Sequence, residues 1–218
     1  MKFPETSKLY SLNKSTYSNL RWIAYIGQLF AILIVEFFFK FKFDYFIFIL
    51  ILFFSVLTNL YLIFKIRDNQ LNHFVSTIYL SFDILQLGLL LFLTGGITNP
   101  FIMLLIMPAV FSSQYLSIWS SVILVVLTII TLLILTFFYF DLPQPEALNF
   151  HAPDYYLYSI TVSILIGLIF LVYFGFKFGT ESRIRKKAYD KMQEIMAKEN
   201  ELLSLGGQAA AAAHSLGT

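Results

Sequence analysis

Six long apolar runs, broken by few polar positions, organise the chain: Trp22 to Phe39, Tyr45 to Phe64, Phe74 to Leu93, Phe101 to Tyr115, Ile118 to Phe140 and Leu157 to Phe178. A helix needs roughly 20 such residues to cross a hydrocarbon core about 30 Å thick. The pattern therefore predicts an all-α, polytopic six-helix transmembrane bundle over residues 22–178, preceded by a short segment, 1–21, and followed by a polar helical tail. Composition agrees. With 58% hydrophobic and only 13% charged residues among 218, against roughly 25% charged in soluble domains, a water-soluble globule is excluded. The absence of cysteine excludes disulfides and thiolate metal sites within these residues, and no other metal-binding constellation is visible.

Charge placement orients the bundle. Lys2, Lys8, Lys14 and Arg21 precede the first run, Lys65 and Arg67 follow the second, and Lys177, Arg183, Arg185, Lys186, Lys187, Lys191 and Lys198 follow the sixth. Only Lys40 and Lys42 fall on the other side, where the long loop Asp141 to Asp154 carries Asp141, Glu146 and Asp154 but no Lys or Arg. Positive residues stay inside, so both termini are expected in the cytoplasm. The first run starts too late and is too long for a cleavable signal peptide.

The fourth run differs from the others: it is short, opened by Pro100 and interrupted by Pro108. A helix broken within the bilayer needs its freed carbonyls satisfied by neighbours or water, so such helices often line cavities; a simple kink is the plainer alternative. Before it lies Gly95-Gly96-Ile97-Thr98-Asn99-Pro100-Phe101. Two glycines can end a helix in the left-handed conformation, and Asn99 can cap the next helix with Pro100 in its first turn, which accounts for every polar residue there. The same residues also offer bare backbone N–H groups, an amide and a helix N-terminus beside lipid, a patch suited to a flat apolar ring bearing carbonyls. Quinones accept hydrogen bonds when oxidised and donate them when reduced. Leaving one buried partner unpaired costs about 1–3 kcal/mol, roughly five- to hundredfold in affinity, so fixed donors would favour the oxidised form. Phe92 and Phe101 flank the turn and could pack on the ring or face lipid.

Asp83 stands about ten residues into the third run, where a carboxylate costs about 2.5–3.5 kcal/mol on insertion scales and faces the bundle or a cavity. Gln86 shares its face at i+3, and Asn59 or Gln28 could join it as interhelical glue. Glu36 and Lys40 read as an interfacial i,i+4 pair. After Phe178 a basic cluster anchors the chain at the membrane surface and is no nucleic-acid patch. Ala188, Ile195 and Leu202 then recur every seven residues, with Ile184, Met192 and Leu205 near complementary positions. This fits a short dimeric coiled coil or a single amphipathic helix lying on the bilayer. Gly206-Gly207-Gln208, five alanines and His214-Ser215-Leu216-Gly217-Thr218 complete the chain.

Taken together, the Gly-Gly-x-x-Asn-Pro-Phe turn after the third span and the Ala-Ala-Ala-Ala-Ala-His-x-Leu-Gly-Thr string after a basic linker resemble the RegB/PrrB/ActS family of bacterial redox-responsive sensor histidine kinases. That resemblance implies a sensor on the bacterial inner membrane whose linker spans 179–205 and whose dimerisation and phosphoacceptor domain begins at 206–218. It implies that His214 is the phosphoacceptor and that Gly95, Gly96, Asn99, Pro100 and Phe101 match the motif linked to ubiquinone. The implied partners are the lipid bilayer, a second copy of the chain and a response regulator, with no direct nucleic acid. Ser215 stands where the family usually has Glu, a stronger base for polarising the imidazole. The family continues past Thr218 with an ATP-binding domain, so ATP would act only through a domain outside these residues, and this chain alone is expected to be inactive as a kinase. From another class, a small six-span transporter or channel would use the broken fourth helix and Asp83, leaving the tail unexplained.

Overall fold

A computed structural model describes residues 12–38, 45–141 and 152–217. Lys2, Lys8, Lys40, Lys42, Glu146 and Thr218 lie outside them, and so does the proposed pairing of Glu36 with Lys40. The chain divides into two compact units, Met1–Phe176 and Lys177–Thr218.

The first unit is built of helices, as the apolar runs predict. Helices α1 (Lys14–Phe37), α2 (Tyr45–Lys65), α3 (His73–Phe92) and α5 (Ile118–Phe137) are each long and apolar enough to cross a membrane. So is the apolar part of α6 (Asp154–Leu216), while Pro100–Tyr115 is a shorter apolar helix. The chain is an all-α membrane-type protein. The fourth span is no uniform α-helix: a 3-10 helix runs from Pro100 to Ile106 and gives way to α4 (Met107–Tyr115). Pro108 explains the change. Inside an α-helix its ring would clash with the carbonyl of Leu104 and one backbone donor would be missing, whereas in the first turn of α4 that missing N–H has no intrahelical partner to lose. The fifth helix stops at Phe137, short of the Phe140 expected from the apolar run.

Two residues on each side form a short antiparallel ladder, β1 (Leu12–Asn13) against β2 (Gln70–Leu71). It fixes the start of α1 beside the α2–α3 connection. There the Asn13 side chain caps α1 by accepting from the Ser15 and Thr16 amides at 3.0 and 3.4 Å. Lys14 meanwhile donates to the carbonyls of Ile63 (3.4 Å) and Ile66 (2.7 Å), putting a cation where the carbonyls of α2 end. The main core runs between α3 and α5, where Ile84, Leu91, Leu124 and Leu132 are buried, and continues through Ile97 of the turn before the fourth span and Leu105 within it. Hydroxyls inside the bundle turn back on their own helices: Thr128, Thr131 and Thr136 donate to the carbonyls of Leu124, Leu127 and Leu132.

In the second unit, Lys177 onward, α6 is almost wholly solvent-exposed and laced by Glu181–Arg185, Lys191–Glu194 and Glu194–Lys198 ion pairs. Ile184, Met192, Ile195, Leu202 and Leu205 are all exposed along it. Gly206 and Gly207 do not interrupt the helix.

Candidate functional site

The end of α3 is where chemistry and unusual backbone coincide. Gly95 (φ 100°) and Gly96 (φ 53°) both take left-handed conformations, which L-residues with a Cβ rarely adopt. A single 3-10 turn, Gly96–Thr98, follows and is closed by Thr98 N donating to the Gly95 carbonyl at 2.9 Å and Asn99 N to that of Gly96 at 3.2 Å. Space adds a second constraint on Gly96: a Cβ there would meet Cβ of Tyr139 and the carbonyl oxygen of Leu135. The turn is thus pressed onto the end of α5. The Phe140 amide donates to the Phe92 carbonyl at 2.9 Å, and the two rings meet edge-to-face at 5.4 Å between centroids.

Asn99 holds the turn from inside. Its Oδ1 accepts from the Phe101 amide at 2.9 Å, capping the 3-10 helix that Pro100 opens. Its Nδ2 donates both to the Thr94 carbonyl (2.9 Å) and to Thr94 Oγ1 (2.7 Å). Capping by Asn99 with Pro100 in the first turn is therefore what the structure shows, and both amide hydrogens have protein acceptors. Asn99 is buried, whereas Phe101 is half exposed. Beside the turn, a cleft of about 300 Å³ lies between the end of α5 and the start of α6, lined by Thr136, Tyr139, Asp141, Asp154 and Tyr158 among others.

A second polar site sits among α1, α2 and α3. Arg21 is not a flanking cation outside the first span: α1 begins at Lys14, and Arg21, seven residues in, is 3% exposed. Its Nε donates to Asp83 Oδ1 at 3.0 Å and its Nη2 to Thr58 Oγ1 at 2.8 Å, and Tyr17 donates its hydroxyl to Asp83 Oδ2. The rings of Tyr17, Tyr25, Tyr79 and Phe82 surround the guanidinium, with centroids 5.4–5.9 Å from its carbon, a distance at which a desolvated cation is attracted to the ring faces. Asp83 and Gln86 share a face but do not bond each other. Gln86 instead donates to Gln28 at 3.1 Å, and Asn59 to the Ser18 carbonyl at 3.3 Å. Interhelical glue accounts for all of these residues. Reading only unbroken apolar runs hid Arg21; the signal that finds it is Tyr17, Arg21 and Tyr25, spaced by four on one helical face.

His214 lies exposed in the last turn of α6, on the helix formed by the alanine run. The side chain of Ser215 lies outside the described residues.

No family model and no solved structure matches the chain. A curated sensor histidine kinase, RegB from Cereibacter sphaeroides, is 33% identical to it over 200 residues. Those residues make up 91% of the chain, so the likeness takes in the helices, the turn and most of the tail. This is a RegB-like sensor-kinase membrane region. The RegB-like region spans 43% of that relative's length. At this level of identity the expectation drawn from the turn and the histidine string is met by the chain as a whole.

Proposed function

We propose that this chain is the membrane sensor portion of a two-component, redox-responsive histidine kinase of a bacterial inner membrane. The state of the quinone pool is felt at the Gly95–Phe101 turn and passed to His214. The observation that carries this reading is the likeness to the RegB sensor kinase over 200 residues, 91% of the chain, beside the turn and the histidine string in the sequence itself.

The geometry supports a particular division of labour. Asn99 is a positioning residue: its amide shapes the turn through Thr94 and Phe101. Ubiquinone meets the exposed side of the turn, at Pro100 and the ring of Phe101, while the buried Gly95 and Gly96 shape the backbone beneath it. Both termini are cytoplasmic, and the exposed apolar positions Ile195 and Leu202 pair with a second copy of the chain. His214, solvent-facing on a helix, presents an imidazole nitrogen for in-line attack on a γ-phosphoryl group supplied by an ATP-binding domain outside these residues. A response regulator then accepts the phosphoryl group.

Reconstitution with ubiquinone tests the reading. A label on the linker at Ile195 should change its signal between oxidised and reduced quinone. A linker indifferent to quinone, together with solute flux abolished by Asp83→Asn, would replace sensing by transport.

A further inference from the structure

The turn is one end of a segment whose other end presses on α6. Ile106, Ala109 and Ser113 lie at i, i+3 and i+7 along one face of the fourth span and are all buried, with Ala109 and Ser113 at 0% exposure. Across from them, Leu168 of α6 is equally buried and shares a core cluster with Ile106 and Ala109. One α-helical heptad further along α6 is Gly175. A Cβ added there would run into Ser113 Oγ and sit 3.3 Å from both Ser113 Cβ and the Val110 carbonyl oxygen. Ser113 cannot simply turn aside, because its hydroxyl donates to that same carbonyl at 2.6 Å. Small residues let membrane helices approach this closely, yet closeness is not general along α6: a Cβ at Gly167, about two turns earlier, meets nothing within 4 Å.

At its other end the segment is clamped by Gly96 against Tyr139 and the Leu135 carbonyl of α5. Residues 96–115 therefore meet α5 and α6 through apolar side chains and, at each end, through one bare glycine, with the change from 3-10 to α-helix between them. We infer that the Ser113–Gly175 contact is the joint through which the turn sets the position of α6. Ser113 and Gly175 are then positioning residues of the sensor. The inference rests on the sensing reading above: quinone at the turn shifts the fourth span, and α6, held at this joint without a side chain to cushion it, follows. Packed helices shift in discrete steps of about 1–2 Å, and a contact this tight transmits such a step where a looser one absorbs it.

The chain contains no cysteine, so paired nitroxides can be placed without a background. Labels at M107C and I169C, both exposed positions flanking the seam, are introduced into the full chain in vesicles with and without ubiquinone. The unmodified seam should show a quinone-dependent distance shift of about 1–2 Å. Gly175→Ala should leave quinone affinity within about twofold and abolish the shift, because the new methyl pushes α6 off α4. Adding Ser113→Gly to it removes the atoms the methyl meets and should restore the shift. Gly167→Ala should behave as the unmodified chain. If Gly175→Ala does not fold, Ser113→Gly alone opens the same seam and should reduce the shift. A shift that persists in Gly175→Ala, or one that Ser113→Gly fails to restore, overturns the joint; so does quinone binding without any shift in the unmodified chain. Failure of the unmodified chain to bind quinone overturns the sensing reading itself.

Discussion

The two halves of the first unit solve the same problem, holding helices together where lipid offers no hydrophobic driving force, by opposite means. Helices α1, α2 and α3 are joined by charge: a guanidinium, a carboxylate and a phenol among aromatic rings. The turn, the fourth span, α5 and α6 are joined by apolar packing and, at two points, by the absence of a side chain, where Gly96 and Gly175 allow close approach. A buried ion pair is all-or-none, since removing one partner strands the other. A bare-backbone contact is graded, since it transmits or absorbs displacement according to its closeness. The first half is suited to being fixed and the second to moving.

The largest effect should come from the charged half. Asp83→Ala leaves Arg21 buried without its counter-ion and should lower stability by about 3–5 kcal/mol, read as a shift in denaturant-driven unfolding in micelles. The double change Arg21→Met with Asp83→Leu should recover most of it. A loss from the double change as large as from the single one would show that the pair is more than a stabilising contact. In the other half, Gly96→Ala forces a Cβ into the left-handed region and against Tyr139 and should cost roughly 1–3 kcal/mol from backbone strain alone. The same assay reads it, and quinone affinity should fall in parallel because the turn is displaced. Asn99→Ala removes a cap worth about 0.5–2 kcal/mol. Asn99→Asp keeps the acceptor for the Phe101 amide but sets a second carboxylate oxygen against the Thr94 carbonyl, so if Asn99 acts only by shaping the turn it should cost at least as much as Ala in both stability and quinone binding.

The smallest effect lies in the linker. Glu194 accepts hydrogen bonds from Lys198 and Lys191, in that order of influence, and these hold its carboxyl below the usual carboxylate range. A carboxyl whose pKa is lowered by folding stabilises the helix fully above its unfolded value and loses that contribution as pH falls through the folded one. Helicity of the full chain, followed by far-ultraviolet circular dichroism, should therefore decline slightly on acidification, and Glu194→Gln should flatten the decline. The group is fully solvent-exposed, so screening by salt should erase most of the difference.

What could be read without coordinates follows the same division. The Gly95–Phe101 turn was legible because its grammar is local: left-handed glycines, an Asn cap and Pro in the first turn act within a few residues of one another. Helix positions were legible wherever apolar runs are unbroken. Arg21 was not, because its polarity is cancelled by a residue in α3, and only the finished bundle brings the two together. Asp83 was recognisable as a residue needing a partner, but the partners its pattern offered were the uncharged amides Gln86, Asn59 and Gln28, not Arg21. The Ser113–Gly175 contact left no local trace at all, since a glycine in an apolar helix looks the same whether its Cα has open space beside it, as at Gly167, or is pressed against a neighbour.

The Arg21–Asp83 pair also has a consequence for how the protein is made. Arg21 precedes Asp83 by 62 residues, so the first helix enters the membrane with a cation seven residues into it and its counter-ion not yet made. Its neighbour α2 can offer only the hydroxyl of Thr58. The depth that the ion pair fixes for the first helix is therefore reached only once the third has been synthesised.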